Sequence, residues 1–100
     1  MLHKIYQMLY SVTKKLHIVR KGQSLANIAE FYCVSAHLLA KENDLKEEVY
    51  AGQVLKIPNE KGNAYFVQEG DSKALLCGSE ENYEKKNGTD IFYIGMRVIL

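Results

Sequence analysis

Between positions 17 and 58 the chain changes its hydrophobic period twice. The β-branched pair Ile18–Val19 lies in His17–Lys21 and predicts a first strand. Gly22–Gln23 predicts a turn, because glycine accepts a positive φ without strain. Leu25, Ile28, Ala29 and Tyr32 then share one face at helical spacing. Ser24 stands just before them as an N-cap, whose hydroxyl accepts from an orphan N–H of the first turn. Ser35 does the same for a second helix, with Ala36, Leu39, Ala40 and then Asn43 along its face. A second turn is predicted at Gly52, and the run Val54–Ile57 forms a strand that stops at Pro58. The order is strand, helix, helix, strand, an α+β unit. Two such short helices are marginal alone, and so is a lone hairpin. They must hold each other by packing.

Residues 64–100 repeat this pattern in worn form. Tyr65, Val67, Gly70, Asp71 and Ser72 follow His17, Val19, Gly22, Gln23 and Ser24 at a constant offset of 48. Ser79, Tyr83 and Asn87 follow Ser35, Leu39 and Asn43 at 44, and Gly95–Leu100 follows Gly52–Ile57 at 43. Four residues are therefore missing near the end of the first helix, about one helical turn. Lys73 replaces Leu25, and Gly78 replaces Val34, so the second unit is expected to bury less and to be less stable. Residues 59–63 are polar with one glycine and read as a short linker that keeps the units close. Leu100 falls inside the last predicted strand, which suits a complete small protein or a piece of a longer one.

In residues 1–16, Leu2, Ile5, Leu9, Val12 and Leu16 recur at helical spacing and predict an N-terminal helix or arm. Lys4 and Gln7 interrupt the apolar run, and no small-residue cleavage site follows, so this is not read as a signal peptide. No run is long enough to span a membrane.

Net charge is +1, with no basic field to draw in nucleic acid. Two cysteines are too few for a disulfide scaffold. Cys33 and Cys77 could form one bridge, but each is read as a small buried thiol at a helix end. Enzyme motifs are absent, and no cofactor is expected. Cys33 and His37 stand four apart, but Ser35 starts a new helix between them, so no metal site is expected. The acid pairs Glu47–Glu48 and Glu80–Glu81 read as solvated surface.

Three blocks in order give the stretch 17–58 a close resemblance to the LysM family: His17-x-Val19-x-x-Gly22-Gln23-Ser24-Leu25-x-x-Ile28-Ala29, then Val34-Ser35, Leu39 and Asn43, then Gly52-Gln53-x-Leu55-x-Ile57-Pro58. The resemblance implies a βααβ fold, with two helices on a two-stranded antiparallel sheet. The internal repeat implies that fold twice: residues 17–58, and a degenerate copy over 64–100. It also implies a non-catalytic module that binds N-acetylglucosamine-containing polysaccharide, such as peptidoglycan or chitin. The groove would lie between Gly22, Gln23, Ser24, Leu25 and Ala26 on one side and Asn43, Asp44, Leu45, Val49 and Tyr50 on the other. Gln23 stands where the family usually has Asp. In the second unit the matching positions are Gly70, Asp71, Ser72, Asn87 and Gly88. Each also has a structural role open to it: turn glycines, a capping Ser24, core Leu25, and an Asn43 that closes its helix in the left-handed conformation.

The resemblance leaves three settings open. One is a glycan-binding module of the cell wall or spore envelope. The second is an assembly module of a spore coat or phage tail that meets a protein partner. The third is the targeting part of a larger hydrolase. A sugar binder needs an open groove with Tyr50 or Leu45 available. An assembly module would bury that groove or show an apolar patch elsewhere.

Overall fold

A computed structural model describes residues 15–100. Its elements in chain order are β1 (Leu16–Ile18), α1 (Leu25–Tyr32), α2 (Ala36–Glu42), β2 (Val54–Lys56), β3 (Ala64–Phe66), α3 (Lys73–Cys77), α4 (Glu80–Asn87) and β4 (Arg97–Ile99). β1 and β2 pair antiparallel, with Ile18 opposite Val54, and β3 and β4 pair antiparallel, with Phe66 opposite Arg97. The helix or arm expected over residues 1–16 falls mostly outside the described residues. Leu16, counted with that segment, instead opens β1. β1 also ends earlier than predicted, although Val19 still exchanges bonds with the partner strand's turn: its N–H reaches the Gln53 carbonyl at 2.8 Å, and Gly52 N–H returns to its own carbonyl at 2.8 Å.

Among the described residues, every helix starts at a serine. Ser24, Ser35, Ser72 and Ser79 accept from the N–H groups of Asn27, Leu38, Leu75 and Asn82 at 3.0–3.2 Å. Ser24 and Asn27 do so reciprocally, as a capping box. α1 ends at Cys33 in the left-handed region, φ +58°. That geometry turns Cys33 outward and sends Val34 into the core, where it is fully buried. The expected buried thiol is therefore corrected to an exposed one. Cys33 and Cys77 are both free.

The first core joins Val19, Ile28, Ala29, Val34, Leu39, Val49, Leu55 and Ile57, with Leu25, Tyr32, Ala36 and Leu45 packed around it. The second core is smaller: Val67, Tyr83, Met96 and Val98. The five-residue α3 buries no side chain fully. Gly78 does not stand in for Val34, as the spacing suggested. With φ +86° it takes the left-handed capping role that Cys33 plays in the first unit. Tyr83, on α4, is fully buried and donates its hydroxyl to the Ile91 carbonyl at 2.6 Å. The Lys73 ammonium lies over the Tyr83 ring, 5.7 Å from its centre.

The two halves touch along α2 and α4. Leu38, absent from the predicted core face, is buried there, 6% exposed. A Cβ on Gly88 would meet the Leu38 Cα at 2.5 Å. Arg97 donates through Nη1 to the Val34 carbonyl at 2.9 Å, and Gly62 N–H donates to the Cys33 carbonyl at 3.0 Å. The second half thus sits on the helical junction of the first.

Candidate functional site

The loop after β1 is built by a small set of bonds around Gln23. Gln23 N–H donates to the Arg20 carbonyl at 3.1 Å, and Arg20 N–H donates to Gln23 Oε1 at 2.8 Å. His17 Nε2 lies 2.9 Å from the same Oε1, and His17 Nδ1 lies 2.8 Å from the Tyr32 hydroxyl. Since Oε1 only accepts, Nε2 carries the proton, and in the neutral ring Nδ1 accepts from Tyr32. The carbonyl oxygen of Gln23 is thus committed to the turn, and its amide nitrogen takes no part in these bonds. Gly22 has φ +86° and open space on its side-chain face. Ala26 is exposed on the first turn of α1, while Leu25 is half-buried on the core.

The facing loop begins at Asn43. Its amide donates to the Leu39 and Lys56 carbonyls at 2.9 and 2.8 Å, and its Oδ1 accepts from Lys56 N–H at 2.8 Å. Asn43 therefore latches α2 to β2 through both ends of its amide. Its φ is −109°; the left-handed residue is the next one, Asp44, at +51°. Leu45 packs half-buried on the core, and Val49 is buried in it. Tyr50 is 67% exposed, and its N–H donates to Gln53 Oε1 at 3.2 Å.

Glu48 joins the two loops, and the sequence reading passed over it as surface. Its Oε1 accepts from Leu25 N–H at 2.8 Å and from Val49 N–H at 2.9 Å. These bonds, that of Val49 first and then that of Leu25, hold its carboxyl below the usual glutamate range against a small opposing effect of burial. One signal was available: α1 has no acidic residue in its first turn. A helix start without its own anion is a natural place for one from elsewhere in the chain.

In the second unit the turn is built alike. Asp71 Oδ2 accepts from Gln68 N–H and from the Tyr65 hydroxyl, both at 2.7 Å. Gly70 and Ser72 flank it, with φ +90° at Gly70. Asn87 and Gly88 lie elsewhere in function. Asn87 is fully buried, with its amide on the Tyr83 and Ile99 carbonyls and on Ile99 N–H. Gly88 faces Leu38 of the first unit. Both belong to the joint between units and not to an open face.

Among the described residues, no group of three His, Cys, Asp or Glu side chains is placed to hold a metal ion. No helix among them is long and apolar enough to cross a membrane.

Comparison with known proteins agrees with the first half of this geometry. Residues 17–58 match the family model of the LysM domain, whose α+β build with a two-stranded antiparallel sheet fits the first unit. Residues 59–100 lie outside the matched span. No curated protein matches the chain. Among solved structures, it is similar to the spore cortex-lytic enzyme SleL of Bacillus cereus, with 27% identity and a TM-score of 0.43 over 86% of this chain and 22% of that one. It is also similar to SleL of Bacillus megaterium QM B1551, with 24% identity and a TM-score of 0.42 over 85% and 22%. The chain spans about a fifth of the length of either enzyme.

Proposed function

We propose that residues 17–58 are a non-catalytic carbohydrate-binding module for N-acetylglucosamine-containing glycan of the peptidoglycan or chitin-like kind. The module would attach its bearer to a cell wall or spore envelope. The observation that carries the reading is the LysM match over these residues. The groove would run between 22–26 and 43–50, with the loops held together by Glu48. Gly22 allows close approach of the backbone, and an acetamido group offers one donor and one acceptor to it. The exposed Tyr50 ring is the apolar wall, as ligand sites pair apolar surface with few polar groups. Leu25, Val49 and Asn43 support this groove from behind.

Residues 64–100 then read as a second, worn module. Parallel details support this. Gly95 N–H bonds Val67 O at 2.7 Å as Gly52 N–H bonds Val19 O, and Asn87 latches α4 to β4 as Asn43 latches α2 to β2. Any sugar contact there would fall on Gly70, Asp71 and Ser72.

An assembly role has one observation in its favour. Leu16, Ile18 and Val54, on the outer face of the first sheet, are 55%, 64% and 56% exposed. The test is titration of the chain with chitin and peptidoglycan fragments, read by amide ¹H–¹⁵N shifts. Shifts at 22–26 and 43–50 that saturate at lower concentration with longer fragments are expected. No movement at about millimolar fragment, a weak affinity, would remove the glycan reading and leave assembly through a protein partner.

A further inference from the structure

The two halves border an open cleft of about 280 Å³ that shares only Ala26 with the predicted groove loops. Ala26, Glu30 and His37 of the first unit form one wall, and Phe66, Tyr93 and Arg97 of the second form the other. Its place follows from the joint. Arg97 bonds the Val34 carbonyl, which draws the face of β3 and β4 that bears Phe66 toward α1 and the start of α2.

Phe66 and Tyr93 are 60% and 58% exposed. Two large aromatic side chains left open in one cleft hold apolar surface that folding does not use. An aromatic face is electron-rich and attracts the polarised C–H groups of a pyranose ring. Around them stand a carboxylate, an imidazole and a guanidinium, which can donate to and accept from hydroxyls. The charges are mixed, and Glu30 opposes a phosphate. The chemistry suits a neutral, hydroxyl-rich ring. The volume lies just below the usual range of ligand sites, which begins at roughly 300 Å³, and so suits about one sugar unit.

We infer that this cleft is a further saccharide subsite, made jointly by the two units, in which one pyranose ring packs on Phe66 and Tyr93. Ala26 lines both the first groove loop and the cleft. Under this proposal, Ala26 is where a glycan held between 22–26 and 43–50 would reach the cleft. The subsite rests on the glycan reading above and adds to it a length requirement and a reason for the joint.

The test is titration of the full chain with N-acetylglucosamine oligomers of two to six units, followed by amide shifts, for the native chain and for Phe66→Ala and Tyr93→Ala. Both side chains are mostly exposed, so the variants are expected to keep the native spectrum away from the cleft. Longer oligomers should move the amides of Glu30, His37, Tyr93 and Arg97 as well as those of the loops. Each variant should weaken only the longer oligomers, by about three- to tenfold, the scale of one aromatic contact. If the loop amides move and the cleft amides stay still, or if neither variant alters affinity, the subsite is overturned while the groove stands. If the cleft moves without the loops, the subsite holds and the groove assignment falls. If nothing moves, both fall.

Discussion

Ser35 Oγ donates to the carbonyl of Asn87 at 2.6 Å, across 52 positions of sequence. The same oxygen accepts Leu38 N–H at 3.2 Å as the cap of α2. One buried hydroxyl therefore starts a helix in the first unit and fastens the end of a helix in the second. Ser79 caps α4 and is bonded to no residue of the first unit in this way. The two serines separate the cap from the joint. Ser79→Ala should cost about 1 kcal/mol, the usual value of a cap. Ser35→Ala should cost about 2 kcal/mol or more, because it also strands a buried carbonyl. Urea unfolding of the two variants measures the difference. Equal losses would mean that the cross-unit bond adds nothing.

Gly88 tests the same joint from the other side. Its φ is +68°, and a Cβ would overlap the Leu38 Cα and backbone nitrogen. Gly70 has a similar φ of +90° but open space around it. Gly70→Ala should thus cost about 1–2 kcal/mol for the left-handed backbone alone. Gly88→Ala should add about 1–3 kcal/mol of overpacking. Truncation of the Leu38 side chain should not rescue it, since the obstructing atoms include backbone. Thermal unfolding of Gly88→Ala, Gly70→Ala and the pair Gly88→Ala with Leu38→Ala decides the point.

The features the sequence displayed were those set by local rules. Serine caps, turn glycines and the apolar face of α1 follow from spacing and were legible. The joint was not, because it depends on pairs such as Leu38–Gly88 and Val34–Arg97 that no local period relates. Leu38 lay off the predicted core face because it packs on the other unit. Cys33 was misplaced because a left-handed residue at the end of α1 rotates the next side chain, Val34, into the core. Glu48 was missed because its partners are the backbone N–H groups of Leu25 and Val49, and the one hint, a first turn of α1 without an acid, is shared by α2 and α3.

The first turn of each unit uses a matched pair. His17 meets Gln23 in one unit, and Tyr65 meets Asp71 in the other. Asp71 holds the Tyr65 hydroxyl above the usual tyrosine range, chiefly through their hydrogen bond. The two pairs are predicted to be exchangeable only as pairs. His17→Tyr and Gln23→Asp should each destabilise alone. Together they should recover about 0.5–3 kcal/mol of coupling, as for residues in one network. Additive losses in a double-mutant cycle by urea unfolding would show that the residues act independently.

Tyr83 predicts the alkaline limit. Burial, with Cys77 and Tyr93 adding to it, pushes its hydroxyl up to about 12. A phenol whose pKa is raised by folding contributes stability that is full below the unfolded value and is lost as pH rises through the folded one. Unfolding should therefore accompany ionisation of Tyr83 between the ordinary tyrosine value and about 12. Tyrosinate absorbance should rise with loss of structure. Tyr83→Phe should remove this buried titration and cost about 1–2 kcal/mol, because the Ile91 carbonyl loses its donor. Ionisation of all tyrosines at the ordinary value with the fold intact would contradict it.

Glu48 predicts the acid limit of the tie between the two loops. Its carboxylate is the tie between the facing loops, and its pKa is lowered by the N–H groups of Val49 and Leu25. A carboxyl lowered by folding contributes stability that is full above the unfolded value and is lost as pH falls through the folded one. The tie should thus persist to a pH below the ordinary glutamate range and then release. The amide shifts of Leu25 and Val49, two separate loops, should titrate with one shared midpoint in that range. Glu48→Gln should abolish the shared titration at once, since the amide keeps an oxygen acceptor but no charge to lose. The variant should remain folded, because the amide oxygen can still accept from both N–H groups, and its loop spacing should loosen. Under the groove assignment, sugar affinity should fall several-fold in Glu48→Gln near neutral pH, on the order of one charge-assisted bond. Native protein below the release point should show the same weakening. Separate midpoints for Leu25 and Val49, or a titration that survives Glu48→Gln, would mean that some other group holds the loops.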